Sequence, residues 1–163
     1  KTNNSNNYGL LIKYFRKYNK IKLNTPPIYV PFGIEEYKDR EIVNLQLNKD
    51  NNSSYNFLCD IHAIDNFFRN LGNTKNKYWE NVIGSIEGKE YVSCLKEENT
   101  LLLRTHVRRT KNTILSIFFE NGIEINPYKI KSRGGIFSLE VGQLWSTDTH
   151  YGIIIYLMGG QVV

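Results

Sequence analysis

Residues 100–111 read Thr-Leu-Leu-Leu-Arg-Thr-His-Val-Arg-Arg-Thr-Lys. In an extended strand, successive side chains point to opposite faces. Arg104, His106 and Arg108 then share one face, Leu101, Leu103, Thr105 and Val107 share the other, and Arg109 and Lys111 follow at a turn. A cationic row backed by a core-facing row suits a sheet that carries a polyanion, because guanidinium and ammonium groups neutralise phosphates and release their counterions. A solvated strand face ending in a basic turn would read the same way. Lys129, Lys131 and Arg133 repeat the pattern, alternating with Tyr128 and Ile130, and would complete a groove if the two segments packed side by side. A third basic group, Lys13, Arg16, Lys17, Lys20 and Lys22, is interleaved with Tyr14, Phe15 and Tyr18. Tyr78, Trp79, Trp145 and Tyr151 lie near predicted turns and are the candidate exposed rings. A base stacked on such a ring contributes roughly 1–3 kcal/mol. Most of the phenylalanines are assigned to the core.

Catalytic arrangements are weaker. His62, His106 and His150 are dispersed and share no metal-ligand spacing with cysteine or carboxylates. Cys59 and His62 would share a helix face that apolar residues already claim, which reads as a core pair rather than a nucleophile and its base. Ser146, Asp148 and His150 are too close in sequence to adopt triad geometry. Gly134-Gly135 lacks the Lys-Ser/Thr and following helix of a phosphate loop. No catalytic residue, metal or cofactor is expected.

The elements that must position these residues follow from periodicity. Thr25-Pro26-Pro27 ends whatever precedes it. Residues 28–32 read as a short edge strand, with Pro31 barring a central place. Glu41 to Leu47 alternates cleanly as a strand with one wet face. Asn51-Asn52-Ser53-Ser54 can cap a helix, after which Tyr55, Leu58, Ile61, Ile64 and Leu71 recur at helical spacing up to Gly72, predicting a helix over about 54–71. Tyr78 to Ile86 reads as a turn and short strand. Strands are then expected over 90–95, 100–107, 113–119, 123–130, 136–144 and 151–157, with turns at Asn121-Gly122, Arg133-Gly134-Gly135 and Ser146–His150. The run from Gly152 to Gly159 has the length of a buried strand, and no apolar run reaches the ~18–20 residues needed to span a bilayer. These elements predict a β-rich α+β chain: a small antiparallel barrel with one amphipathic helix packed on it, or alternatively a β-sandwich.

The chain has 163 residues, enough for one domain with its own core. Residues 1–7 read as a disordered polar tail and 8–163 as a single β-rich domain. Net charge is +5, but Asn, Ile and Lys are abundant and Ala63 is the sole alanine, a usage that points to an AT-rich genome. Part of the lysine charge then reflects codon drift. The seven arginines, against 14 lysines, are less easily explained that way, so the position of charge matters more than its sum. Cys59 and Cys94 are the two cysteines; set in apolar patterns, they read as buried free thiols and favour an intracellular, reducing compartment.

The strand over 41–47, a helix over 52–71 and a run of strands carrying the Arg104–Lys111 stripe together resemble the phage-type single-stranded DNA-binding proteins, relatives of which occur in large AT-rich nucleocytoplasmic DNA viruses. The resemblance spans roughly residues 28–157. It implies an oligonucleotide-binding (OB) barrel that coats single strands in replication or recombination, replication proteins as partners, and a place in the host cytoplasm or a virus factory. That family ends in an acidic tail with a terminal aromatic, whereas this chain ends Met158-Gly-Gly-Gln-Val-Val163. The expected function is sequence-tolerant binding of single-stranded DNA, with RNA also open. The alternative is a structural protein, such as a minor virion component or an organellar ribosomal subunit.

Overall fold

The computed structural model describes residues 6–8, 21–71, 84, 86–97 and 99–163. In chain order its strands are β1 (Asn6–Tyr8), β2 (Lys22–Asn24), β3 (Ile28–Val30), β4 (Ile34–Tyr37) and β5 (Arg40–Leu47). Helix α1 (Asn52–Arg69) follows. The remaining strands are β6 (Glu90–Val92), β7 (Leu95–Glu97), β8 (Leu101–Val107), β9 (Ile117–Glu120), β10 (Ile123–Ile125), β11 (Arg133–Ser146) and β12 (His150–Val162).

Five strands close into a ring: β3 pairs with β5, β5 with β8, β8 with β12, β12 with β11, and β11 returns to β3. Each of these pairings is antiparallel except β8 with β12. The others extend the ring, β1 and β2 on β11, β4 on β5, β7 on β8, β6 and β9 beside β12, and β10 on β9. The architecture is therefore an OB-like barrel with a helix, not a sandwich.

Alternation explains the interior. Val43, Leu45 and Leu47 of β5 meet Leu101, Leu103 and Val107 of β8 inside the ring, together with Phe137, Leu139 and Leu157. Thr105 is the polar member of that inner row, and its hydroxyl donates to the Val43 carbonyl at 2.8 Å. Ile153, Ile154 and Ile155 of β12 are all buried, as expected of a strand covered on both faces. Gly159 in β12 has φ +152°, and a Cβ there would stand 2.1 Å from the Ile117 carbonyl oxygen, so glycine is what lets β9 approach.

Helix α1 starts where the Asn51 side chain accepts the Ser53 N–H at 2.9 Å. Its buried face, Phe57, Leu58, Ile61 and Phe68, joins the barrel core. Two polar ties fix it. Asp65, buried, accepts from the Tyr91 hydroxyl at 2.7 Å and the Ser93 hydroxyl at 2.5 Å. The Tyr151 hydroxyl lies 2.9 and 3.0 Å from the Phe68 and Arg69 carbonyls at the helix end.

Several expectations are corrected. Residues 28–32 do not form an edge strand: β3 stops at Val30 and pairs on both sides, and Pro31 falls just beyond it. Strand 123–130 ends at Ile125, because Asn126 caps a 3-10 turn over Pro127–Ile130, its side chain accepting the Tyr128 N–H. Arg133-Gly134-Gly135 opens β11 instead of turning; the left-handed residue is Ser132, φ 58°. Gly84 and Ile86 are helical, not extended. Asn6 and Asn7, read as tail, pair in β1 with Ser146 and Trp145. Cys59 and His62 are on the exposed side of α1, not in the core, and His62 sits 3.3 Å from Glu97.

Candidate functional site

The alternation expected of residues 101–107 is present in β8. Leu101, Leu103, Thr105 and Val107 are buried inside, while Arg104 and His106 point outward, followed by Arg108 beyond the strand end. Their cross-strand neighbours complete the outer face. Arg104 is opposite Asn44, Leu102 opposite Gln46, and His106 lies between Ile42 of β5 and Tyr156 of β12. Tyr29 of β3 stands opposite Gln46. The Tyr37 ring, at the end of β4, lies over the Arg104 guanidinium at 4.4 Å from the ring centroid. Ile42, in register with Glu35 of β4 and His106 of β8, is only 4% exposed.

Two polar atoms of this face are buried without a hydrogen-bond partner, Asn44 Oδ1 and Arg104 Nε. Leaving such groups unsatisfied costs about 1–3 kcal/mol each. Asn44 Nδ2 donates to Glu35 Oε2 at 3.1 Å, so its oxygen faces away from the carboxylate.

Burial is the main cause that pushes His106 down to about 4 from 6.5, aided by Arg40 and Arg104. His106 is therefore neutral at physiological pH and adds no charge to the stripe, a correction to the all-cationic row. For Tyr37, burial raises the hydroxyl pKa, but Arg104 and Lys38 together outweigh it and hold the group below its ordinary value.

The segment from β3 to β4 supplies exposed rings that sequence patterning did not single out: Tyr29 at 43%, Phe32 at 48% and Tyr37 at 37% exposure. A signal existed for Tyr29, which lies between two inward residues, Ile28 and Val30. Tyr37 was hidden because its hairpin turns through Lys38 and Asp39, two non-glycine residues at φ 47° and 63°. Beyond Tyr29 and Gln46 the face opens into a cleft of about 890 Å³, also lined by Asn48, Lys49, Asn51 and Asn99.

The other sequence candidates scatter. Arg109 is ion-paired with Glu41, and Arg133 with Glu120. Lys111 is exposed in the turn closed by Thr110 N–H to the Thr113 carbonyl. Lys129 and Lys131 are exposed but belong to the 3-10 turn and the residue after it, so they form no alternating row. Lys131 packs at Gly33, in the connection between β3 and β4, where a Cβ on the glycine would come within 2.8 Å of its own Cβ. Tyr151 is 3% exposed and spent on the α1 tie, so it is not a stacking ring. Trp145 is half-buried and lies against Gly152. Tyr78, Trp79 and the basic group at 13–20 lie outside the described residues. Ser146 accepts from Lys89 Nζ at 2.7 Å and Asp148 is exposed in the turn, so no triad forms with His150. Among the described residues no three His, Cys, Asp or Glu side chains gather as metal ligands, and no helix is long and apolar enough to cross a membrane.

Counted along the chain, the ring strands β3, β5, β8, β11 and β12 close in the order first, second, third, fifth, fourth. That is an OB-type barrel, and the face just described is its second and third strands with the loop between the first and second. In this class that face and that loop commonly carry the ligand. Among solved structures, the chain is similar to the crystal structure of gp2.5, a single-stranded DNA binding protein encoded by bacteriophage T7. The TM-score is 0.56 at 12% identity, over 88% of this chain and 92% of that one. No family model and no curated protein sequence matches.

Proposed function

We propose that this protein binds single-stranded DNA, without strong sequence preference and without catalysis, across the outer face of β3, β5 and β8. The observation that carries the reading is the juxtaposition on one face of Arg104 and Asn44 with the exposed ring of Tyr29, Arg108 following at the end of β8 and the exposed Phe32 just after β3. Cations would neutralise phosphates while ring faces stack bases, the combination that single-strand binders use. The fold shared with gp2.5, itself a single-stranded DNA binding protein, supports it. Lys38, Arg40 and Lys49 extend the positive rim at either end of β5. A role in replication or recombination, alongside replication proteins in a reducing intracellular compartment, is part of the proposal, and both cysteines being free agrees with that compartment.

A fluorescence-polarisation titration with oligo-dT at two salt concentrations tests it. Affinity should fall with salt, with a log–log slope near −0.7 per phosphate contacted. Absent or salt-insensitive binding would reject the proposal. One observation favours the structural-protein reading instead: Ile117 and Phe119 of β9 and Ile136 of β11 are exposed together on one sheet face, as a protein contact would require. Competition with oligo-U at equal length separates DNA from RNA.

A further inference from the structure

The outer face holds a matched pair of unsatisfied groups. Asn44 Oδ1, an acceptor, and Arg104 Nε–H, a donor, are cross-strand partners, both buried and both unpaired. The Glu35 carboxylate fixes the amide, since it can only accept and therefore holds the nitrogen. Beside Arg104 lies a flat ring, Tyr37, its centroid 4.4 Å from the guanidinium carbon. That ring is carried at the tip of a hairpin whose turn residues both have positive φ.

We infer that this is a nucleobase pocket which Tyr37 occupies in the free protein. A base takes the space that the ring vacates, presenting its edge rather than its face to Arg104. One of its edge N–H groups then donates to Asn44 Oδ1, and an edge oxygen or ring nitrogen accepts from Arg104 Nε–H. Every base offers a donor beside an acceptor on its pairing edge, so the pocket is tolerant of sequence. In a duplex those edges are already paired and stacked, so the same pocket rejects double strands. The inference rests on the single-strand reading above and adds a contact to the base edge, through Asn44 Oδ1 and Arg104 Nε–H, to the phosphate contact of the Arg104 charge.

Binding of oligo-dT and of an abasic oligomer of equal length is compared by fluorescence polarisation for the wild type, Asn44→Ala, Arg104→Lys and Tyr37→Ala. Asn44→Ala should weaken oligo-dT about tenfold, the size of one missing hydrogen bond to a charged or buried group. It should leave the abasic oligomer and the salt slope unchanged. Arg104→Lys keeps the charge but has no Nε–H, and should show the same split, which keeps the test valid if Asn44→Ala folds poorly. Tyr37→Ala should bind oligo-dT at least as tightly as the wild type. Equal losses on both oligomers, no loss on either, or a tenfold loss in Tyr37→Ala overturns the pocket while leaving single-strand binding in place. A wild type that binds no oligo-dT sinks both readings.

Discussion

Arg104 and Arg109 come from one basic run, yet their surroundings differ. Arg104 has a tyrosine ring for a partner, whereas Arg109 already holds the Glu41 carboxylate. A guanidinium paired with its own protein's carboxylate has less charge to offer a phosphate. Replacing Arg104 and Arg108 by Ala should therefore weaken oligo-dT and reduce the salt slope by roughly 0.7 for each phosphate no longer neutralised. Arg109→Ala should change both far less, and circular dichroism should show all three variants folded, since these side chains lie outside the core. His106 gives a prediction in pH. Its folded pKa, about 4, lies below the ordinary 6.5, so the unfolded chain binds the proton first as pH falls. Stability from this group is complete above 6.5 and is lost as pH drops toward 4, with a slope of at most about 1.4 kcal/mol per pH unit. Urea midpoints across that window should fall more steeply for the wild type than for His106→Gln. Which outward residues of β8 share a face was legible in the sequence, because alternation is local. Which basic candidates are ion-paired was not, because Glu41 and Glu120 reach Arg109 and Arg133 only through tertiary pairing.

Elements carry the next level of the argument. Helix α1 was readable from its spacing and its asparagine cap, and its observed bounds, Asn52–Arg69, differ from 54–71 by two residues at each end. What holds it to the barrel was not readable. Asp65 sits among apolar positions and finds, distant in sequence, Tyr91 of β6 and Ser93 just beyond that strand. Asp65→Ala would leave two hydroxyls without their acceptor and should cost about 1–3 kcal/mol in chemical denaturation. Tyr151→Phe should cost about 1 kcal/mol by releasing the helix end. In β12, Gly159→Ala forces a left-handed backbone and drives a methyl group onto the Ile117 carbonyl, so it should cost at least about 2 kcal/mol and loosen β9. Strand ends failed where a turn used unexpected residues: Asn126-Pro127 stopped β10 early, and Ser132 turned the chain where two glycines stood next in line.

At the scale of the molecule, closure is the decisive event. The ring shuts where β3 meets β11, Ile28 opposite Gly135, and the Thr25 hydroxyl accepts the Phe137 N–H at 2.9 Å. Contacts so distant in sequence fold slowly, so stopped-flow refolding should fall in the millisecond-to-second range. Microsecond refolding would show that the ring is not what limits the rate. The sequence by itself determined the strand-rich class, the long helix, the inner and outer rows of β5 and β8 and the unbroken apolar run of β12, because side-chain periodicity is a property of neighbouring residues. Only the tertiary structure decided that β8 and β12 run parallel and that Tyr37 stands beside Arg104. It also decided that Tyr151 is buried and that Lys129, Lys131 and Arg133 form no second row. Strand order and ion pairing depend on which distant segments meet, and local alternation is the same whichever neighbour a strand finally takes.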